Sequence, residues 1–345
     1  MKNFKKTIAI ILCLGILFCL AACGGNKGDM GTTADKGNIS STQNSTDSAE
    51  TAKLTIAYQG GIGYAPVHIL EAKKLIEKNY KEATGKDVTV KFQKLDSGAD
   101  INTGIIGGTI DIGCMGIAPA VSAVSSGVPA KVLTGLCSQT HGLMTNDPAI
   151  KTLADIKDNQ IALVNIGSIQ HILLAMAAEK ELGDPHALDN NIVKMSHAEG
   201  YAALEAGTYK LHLTSSPFIN RERENDKFTE IKAVNEIWPD GNTFLVALAS
   251  TAIQQENSEL FKAVQDSFKE AIDFINTNEQ EAAEIIAVYL GQDAQTTLKD
   301  LQDETSMFFG ELKGATQMAD FMKRAGFIEK AVTFKDFTYP GVKGD

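Results

Sequence analysis

Most residue patterns that announce a particular chemistry are missing from this chain. Beyond its first fifty residues it has no G-x-S-x-G, H-E-x-x-H, P-loop or C-x-x-C motif, and so no sequence signal for a serine hydrolase, zinc protease, nucleotide phosphate cradle or dithiol redox centre. The glycines at 60, 61 and 63 do not complete G-x-G-x-x-G, which leaves a dinucleotide site unsupported. The six histidines are dispersed. His141, His171, His197 and His212 fall where a fold could converge them, but no close pair stands at metal-ligand spacing. No metal or cofactor is expected. Positive charge is also scarce, with 32 Lys and Arg against 43 Asp and Glu and a formal net charge of -11. An acidic surface of this kind argues against nucleic acid or an anionic membrane as a partner of the body.

Cysteine is used sparingly. Of five, Cys13 and Cys19 lie in an N-terminal apolar run, "TIAIILCLGILFCL", preceded by Lys2, Lys5 and Lys6. That run is shorter than the roughly 20 apolar residues of a membrane span and reads as a signal segment over residues 1–22. It ends in Leu20, Ala21, Ala22 and Cys23, which resembles a bacterial lipobox. Cleavage before Cys23 and lipidation of its sulfur, with palmitate among the acyl groups, would anchor the protein on the extracytoplasmic face of the cell membrane. Loss of the three lysines takes the net charge to about -14. The other reading is a secretory signal whose cleavage site happens to abut a cysteine. Cys114 and Cys137 sit in apolar, strand-like runs and read as buried free thiols, since nothing resembles a disulfide framework.

Residues 23–52 hold the lipidated Cys and then a Gly-, Ser-, Thr- and Asn-rich stretch with almost no large apolar residue, the composition of a flexible tether. From Lys53 strand-like and helix-like segments alternate in two successive sets, the signal of α/β lobes with largely parallel sheets. The sets are related. At a constant offset of 99, Ala99, Gly108 and Thr109 fall on Ala198, Gly207 and Thr208. A further apolar strand, "TFLVALAS", and a helical remainder follow. One lobe is therefore expected from 53–142 plus 248–345 and the other from 143–247, with crossings near "GLMTN" and "TFLVALAS" acting as a hinge.

Ligands of open α/β sheets bind beyond the strands' carboxyl ends, where helix N-termini converge. Five loops are so placed: "QGGIGYAP", "LDSGAD", "MGIAPA", "NIGSIQH" and "TSSPF". In the fourth, a long apolar helix opens at Gly167 and Ser168 with no carboxylate in its first turn, leaving its positive end to meet an external negative group. The bland alternative is that Ser168 merely caps its own helix. His171 faces either the cleft or the neighbouring strand. Thr214 and Ser215 offer neutral hydroxyls, and Trp238 either walls a cleft or plugs a lobe. None of the five loops contains Arg or Lys. A charged solute would then be held by backbone and hydroxyl dipoles alone. A neutral or zwitterionic heteroaromatic stacked on Tyr64 or Trp238 and touching His171 fits the same residues.

The order "TIAYQGGIGYAPVHILEAKKLIEK", "GIIGGTIDIGCMGIAPAVSAVSSGVPAKVLTGL", "KTLADIKDNQIALVNIGSIQHILL" and "AALEAGTYKLHLTSSPF" resembles the solute-binding lipoproteins of ABC importers for nitrate, sulfonates, taurine and thiamine-pyrimidine precursors. The likeness spans nearly all of residues 53–339. It implies a two-lobed, type II periplasmic-binding-protein fold of the α/β class with two crossover hinge strands. The expected solute contacts are Gln59, Gly60, Gly61 and Tyr64, then Gly116, Ile117 and Ala118, then Gly167 and Ser168, with His171, Thr214 and Ser215 added from the loop chemistry. Expected partners are a small-molecule solute, an ABC permease with its ATPase, and the membrane through Cys23, for a monomer that is not an enzyme. The competing expectation is an enzyme of pyrimidine-type metabolism on the same fold, with His171 or His212 as acid or base. One departure stands out: Lys210 occupies the place of a usual acidic residue, which the first set keeps as Asp111.

Overall fold

The computed structural model describes residues 51–345; the signal segment, Cys23 and nearly all of the tether lie outside them. Among the described residues, ten strands form two five-stranded sheets. The first contains β1 (Ala52–Tyr58), β2 (Val88–Lys94), β3 (Ile112–Gly116), β4 (Ala130–Cys137) and β10 (Leu245–Ser250), in the order β2-β1-β3-β10-β4. The second contains β5 (His141–Thr145), β6 (Ile161–Leu163), β7 (Ile192–Lys194), β8 (Leu211–Ser215) and β9 (Thr229–Ile231), in the order β7-β6-β8-β5-β9. The plan is the same twice. Three parallel strands are followed by one antiparallel strand from elsewhere in the chain, β10 in the first sheet and β5 in the second. The exchanged strand breaks the parallel pattern, which the alternation of sequence segments could not reveal.

The chain passes between the sheets at 138–140 and again at 232–244, just ahead of β5 and β10. These segments lie side by side, with Gly241 N–H donating to Ser138 Oγ at 2.8 Å and Phe244 N–H to the Cys137 carbonyl at 2.8 Å.

Helices α1 (Ala65–Lys73), α2 (Leu75–Thr84), α3 (Gly98–Ile106) and α4 (Ile117–Ser125) connect the strands of the first sheet. In the second sheet the same task falls to α5 (Ile169–Leu182), α6 (His197–Glu205) and α7 (Phe218–Arg223), while α8 (Ala233–Ile237) lies in the crossing from β9 to β10. Then come α9 (Thr251–Glu256), α10 (Ser258–Thr277), α11 (Glu279–Leu290), α12 (Ala294–Leu301), α13 (Ala315–Arg324) and α14 (Phe334–Phe337). No described helix is long and apolar enough to cross a membrane. α5 shows why its sequence looked so apolar. Every residue from Ile169 to Ala178 is buried, because the helix packs on α4 and α8 and shares one hydrophobic core with Ile161 and Leu163 of β6 and Leu211 and Leu213 of β8. Cys114 and Cys137 are buried free thiols whose ionisation burial pushes well up.

The offset of 99 holds in three dimensions. α3 and α6, and β3 and β8, start and end at positions 99 apart. Ser97 and Ser196 cap the two helices, accepting from the N–H of Asp100 and Glu199. Gly108 and Gly207 both take positive φ, 66° and 72°, where only glycine is unstrained. Thr109 and Thr208 donate their N–H to Gly104 and Ala203 at 2.9 Å. Asp111 accepts from Thr55 N–H at 2.7 Å and so ties β3 to β1. Its counterpart Lys210 instead pairs with Asp147 Oδ2 at 2.8 Å. The exchange of charge is a local matter of strand anchoring, away from any ligand loop.

Candidate solute cleft

The two sheets direct the ends of matching strands toward each other. Tyr58, Lys94 and Gly116 at the ends of β1, β2 and β3 face Val164, Ser196 and Ser215 at or just past the ends of β6, β7 and β8 across a cleft of about 1160 Å³. That exceeds the roughly 300–1,000 Å³ of ordinary small-molecule pockets. The N-termini of α3, α5 and α6 open onto it, so unpaired backbone N–H groups from both lobes give it a positive wall without formal charge.

Of the residues expected to contact solute, Gln59, Gly60, Gly61, Tyr64, Gly116, Gly167, Ser168 and Ser215 line this cleft, and Ile117, Ala118, His171 and Thr214 do not. Ile117 and Ala118 turn into the core at the start of α4 and are fully buried. Thr214 points away from the cleft because Ser215, its neighbour on β8, points toward it. His171 sits behind the Gly-Ser loop. Its Nδ1 accepts from Gly167 N–H at 3.0 Å, which leaves Nε2 to donate to Asp189 Oδ1 at 3.1 Å. Asp189 is in turn held by His186, whose Nε2 lies 2.9 Å from the Ala325 carbonyl and whose pKa the Asp189 hydrogen bond raises. His171 is thus a strut of the loop. Ser168 does cap α5, accepting from His171 N–H at 3.3 Å, while still lining the cleft, and α5 has no acidic residue in its first turn.

Tyr64 is 5% exposed and donates its hydroxyl to Gln59 Oε1 at 3.0 Å, so it braces the first loop more than it offers an open face for stacking. Trp238 is 1% exposed, lies outside the cleft and packs over Gly314, which makes it a plug.

The structure adds groups that the loops did not suggest. Lys94 and Arg221 both line the cleft, one from each lobe, and neither forms an ion pair among the described residues. The expectation of a cleft without formal positive charge is therefore corrected. Lys94 closes β2 one residue before its loop, and Arg221 lies on the short α7 beyond "TSSPF", so both fell outside the five stretches. Asp96 and Asp293 also reach the rim. Buried polar atoms lacking a partner cluster on the same walls: both ring nitrogens of His68, Asn102 Oδ1, Gln139 Nε2 and Ser216 Oγ. Such groups cost about 1–3 kcal/mol each when left unsatisfied. His68 lies between Tyr58 and Tyr289, stacked on the latter at 4.6 Å, and burial lowers its pKa to about 4. Tyr289 and Phe218 supply apolar faces. Among the described residues, no group of three or more His, Cys, Asp or Glu is placed to hold a metal ion.

Two sheets with exchanged strands, joined by paired crossings and facing each other over a cleft, define a periplasmic-binding-protein fold. The NMT1-like family model matches residues 47–290, more than half of the chain, and the chain belongs to that family. Comparison with curated protein sequences gives no match. Among solved structures, the chain is similar to the periplasmic aliphatic sulphonate-binding protein SsuA of Escherichia coli, with a TM-score of 0.63 and 19% identity over 84% of this chain and 93% of that one. The alkanesulfonate-binding SsuA of Xanthomonas axonopodis pv. citri, bound to MOPS, gives 0.66 and 18% over 86% and 100%. The periplasmic nitrate-binding protein NrtA of Synechocystis PCC 6803 gives 0.55 and 14% over 71% and 69%.

Proposed function

We propose that the protein is the extracytoplasmic solute-binding component of an ABC importer, which captures a small organic anion between its lobes and presents it to a membrane permease and its ATPase. The observation that carries this reading is the cleft itself. Matched helix ends from two lobes face one space, with an unpaired cation on each side and unsatisfied hydrogen-bonding groups between. Capture by closure requires a solute that touches both walls, because only a bridging solute binds the closed form better than the open one. Lys94 with the α3 end on one wall, and Arg221, Ser168 and Ser215 on the other, supply that bridge. Tyr289 and Phe218 give its organic part a place to rest.

One lobe carries the first sheet and the other the second, with the boundaries at the crossings 138–140 and 232–244 rather than at 142/143 and 247/248, which would cut β5 and β10. The chain acts as a monomer anchored by a palmitate-bearing lipid on Cys23 at the outer face of the cell membrane, the signal segment having been removed. The enzyme reading is disfavoured by the histidines it would use. His171 is committed to Gly167 and Asp189, and His212 is 1% exposed and stands behind His197, so neither meets a bound molecule. A library of small sulfonates, nitrate and heteroaromatic zwitterions, screened by thermal shift with mass spectrometry of the recovered solute, tests the function. Binding without conversion supports it, and turnover overturns it. Cys23→Ala should release the protein from the membrane fraction.

A further inference from the structure

Behind the second wall of the cleft lies a chain of polar side chains that the first wall lacks. Glu222 on α7 and His212 on β8 are 0% and 1% exposed, with Oε1 2.6 Å from Nδ1. His212 Nε2 lies 3.4 Å from His197 Nδ1, and His197 Nε2 lies 3.4 Å from both Ser215 Oγ and Gln170 Nε2, at the cleft. The internal repeat shows that this chain is an insertion into a shared plan. At an offset of 99, His197 and His212 stand where the first lobe has Gly98 and Gly113. Room for the His212 ring comes from Gly200, whose counterpart Ile101 fills the space over Gly113.

We infer that Glu222 and His212 are positioning residues that hold His197 with its Nε2–H directed into the cleft, giving the second wall a hydrogen-bond donor for an acceptor oxygen of the solute. At the buried end, a carboxylate would leave Glu222 Oε2, which has no partner, as an uncompensated buried charge. Burial accordingly pushes Glu222 up to about 9 and His212 down to about 4, so that both are neutral near pH 7. A separation of 2.6 Å falls below the usual N–H···O range and within that of an O–H donor, and an orphaned buried acceptor is commoner than an orphaned donor. Glu222 therefore donates to His212 Nδ1. A neutral imidazole has one donor and one acceptor, so the direction propagates. His212 Nε2–H donates to His197 Nδ1, and His197 Nε2 carries the proton at the cleft. The Gln170 amide, placed with its Nε2 toward His197, must then be turned over so that its oxygen accepts from His197 and its NH₂ points outward. With Ser215 and Ser216 beside them, these groups form an array of donors suited to an oxygen-rich or anionic group. The opposite polarity, Nε2 as an acceptor facing the Ser215 hydroxyl, is the arrangement of a general base.

The inference rests on the cleft being the solute site, but its test needs no solute. Long-range ¹H–¹⁵N correlation on the full-length chain labelled with ¹⁵N-histidine reports the tautomer of each ring. At pH 7, His197 and His212 should both be neutral Nε2–H tautomers. Raising the pH past about 9 should ionise Glu222 and switch both rings to Nδ1–H together. Around this chain, His141 on β5 interacts with His197 and is kept neutral by burial, and Glu230 on β9, level with His212 across the sheet, is already held by Arg223 and Lys232. Glu222→Leu should abolish the single tautomer at His197. An Nδ1–H or doubly protonated His197 at pH 7 overturns the inference even if that variant does not fold. A cleft that accepts no solute in the thermal-shift screen is a separate failure, of the functional reading.

Discussion

The Nε2 atom of His212 lies 2.5 Å from where a methyl group on Gly200 would stand, and no side chain larger than hydrogen fits there without displacing the ring. Gly200→Ala should therefore destabilise the fold by about 1–3 kcal/mol, despite the better helix propensity of alanine within α6. Urea unfolding checks this. An unchanged or raised midpoint would mean that the ring moves aside freely, and that its place between Glu222 and His197 is not fixed.

His171 supports the Gly-Ser loop from behind. Replacing it with alanine removes the acceptor of Gly167 N–H and the donor to Asp189. A stability loss of about 1–3 kcal/mol is expected, with faster amide exchange at Gly167 and weaker solute binding. Lost affinity with unchanged exchange at Gly167 would place His171 against the solute instead.

Lys94 and Arg221 are expected to meet the solute's negative charge. A hydrogen bond to a charged group contributes about 1.5–3 kcal/mol, so Lys94→Gln or Arg221→Ala should each weaken binding of an anionic solute by roughly 10- to 100-fold in calorimetry. Neither side chain gives up an ion pair, so the melting temperature of the empty protein should hardly move.

His141 is fully buried with both nitrogens unpartnered, its ring edge-on to Phe244 at 4.6 Å. Burial lowers its pKa from 6.5 to about 3. An unfolded histidine takes up a proton below its ordinary pKa while the folded one stays neutral, so this residue costs stability progressively as the pH falls below 6.5. His141→Leu removes that cost. Its stability relative to the parent should rise by about 2 kcal/mol between pH 7.5 and pH 5, read from denaturant midpoints at the two values. A pH-independent difference would show that His141 is protonated or solvated in the folded state.

Much of the architecture was legible in the sequence because it repeats. Gly108 and Gly207 mark the same left-handed turn, and the alternation of apolar strands and helices marks two sheets. The crossings at β5 and β10 were legible as apolar strands, but their antiparallel direction was not, since a buried strand reads the same whichever way it runs. In the site, glycines and hydroxyls at strand ends were visible because a loop before a helix has few other uses for them. Lys94 and Arg221 were hidden by their positions, inside regular elements where a charged residue reads as solvated surface. The Glu222–His212–His197 chain was invisible for a different reason: its members are 10 and 15 residues apart and meet only when α6 and α7 pack on β8.

The protein is expected to hold one solute, unchanged, between the two walls of its cleft. Native mass spectrometry of the protein after incubation with the solute library tests this most directly. The expected result is a single intact solute per chain, recovered chemically unaltered on unfolding and absent or strongly reduced in both Lys94→Gln and Arg221→Ala. Recovery of a converted molecule, or a complex that neither substitution weakens, would contradict the account.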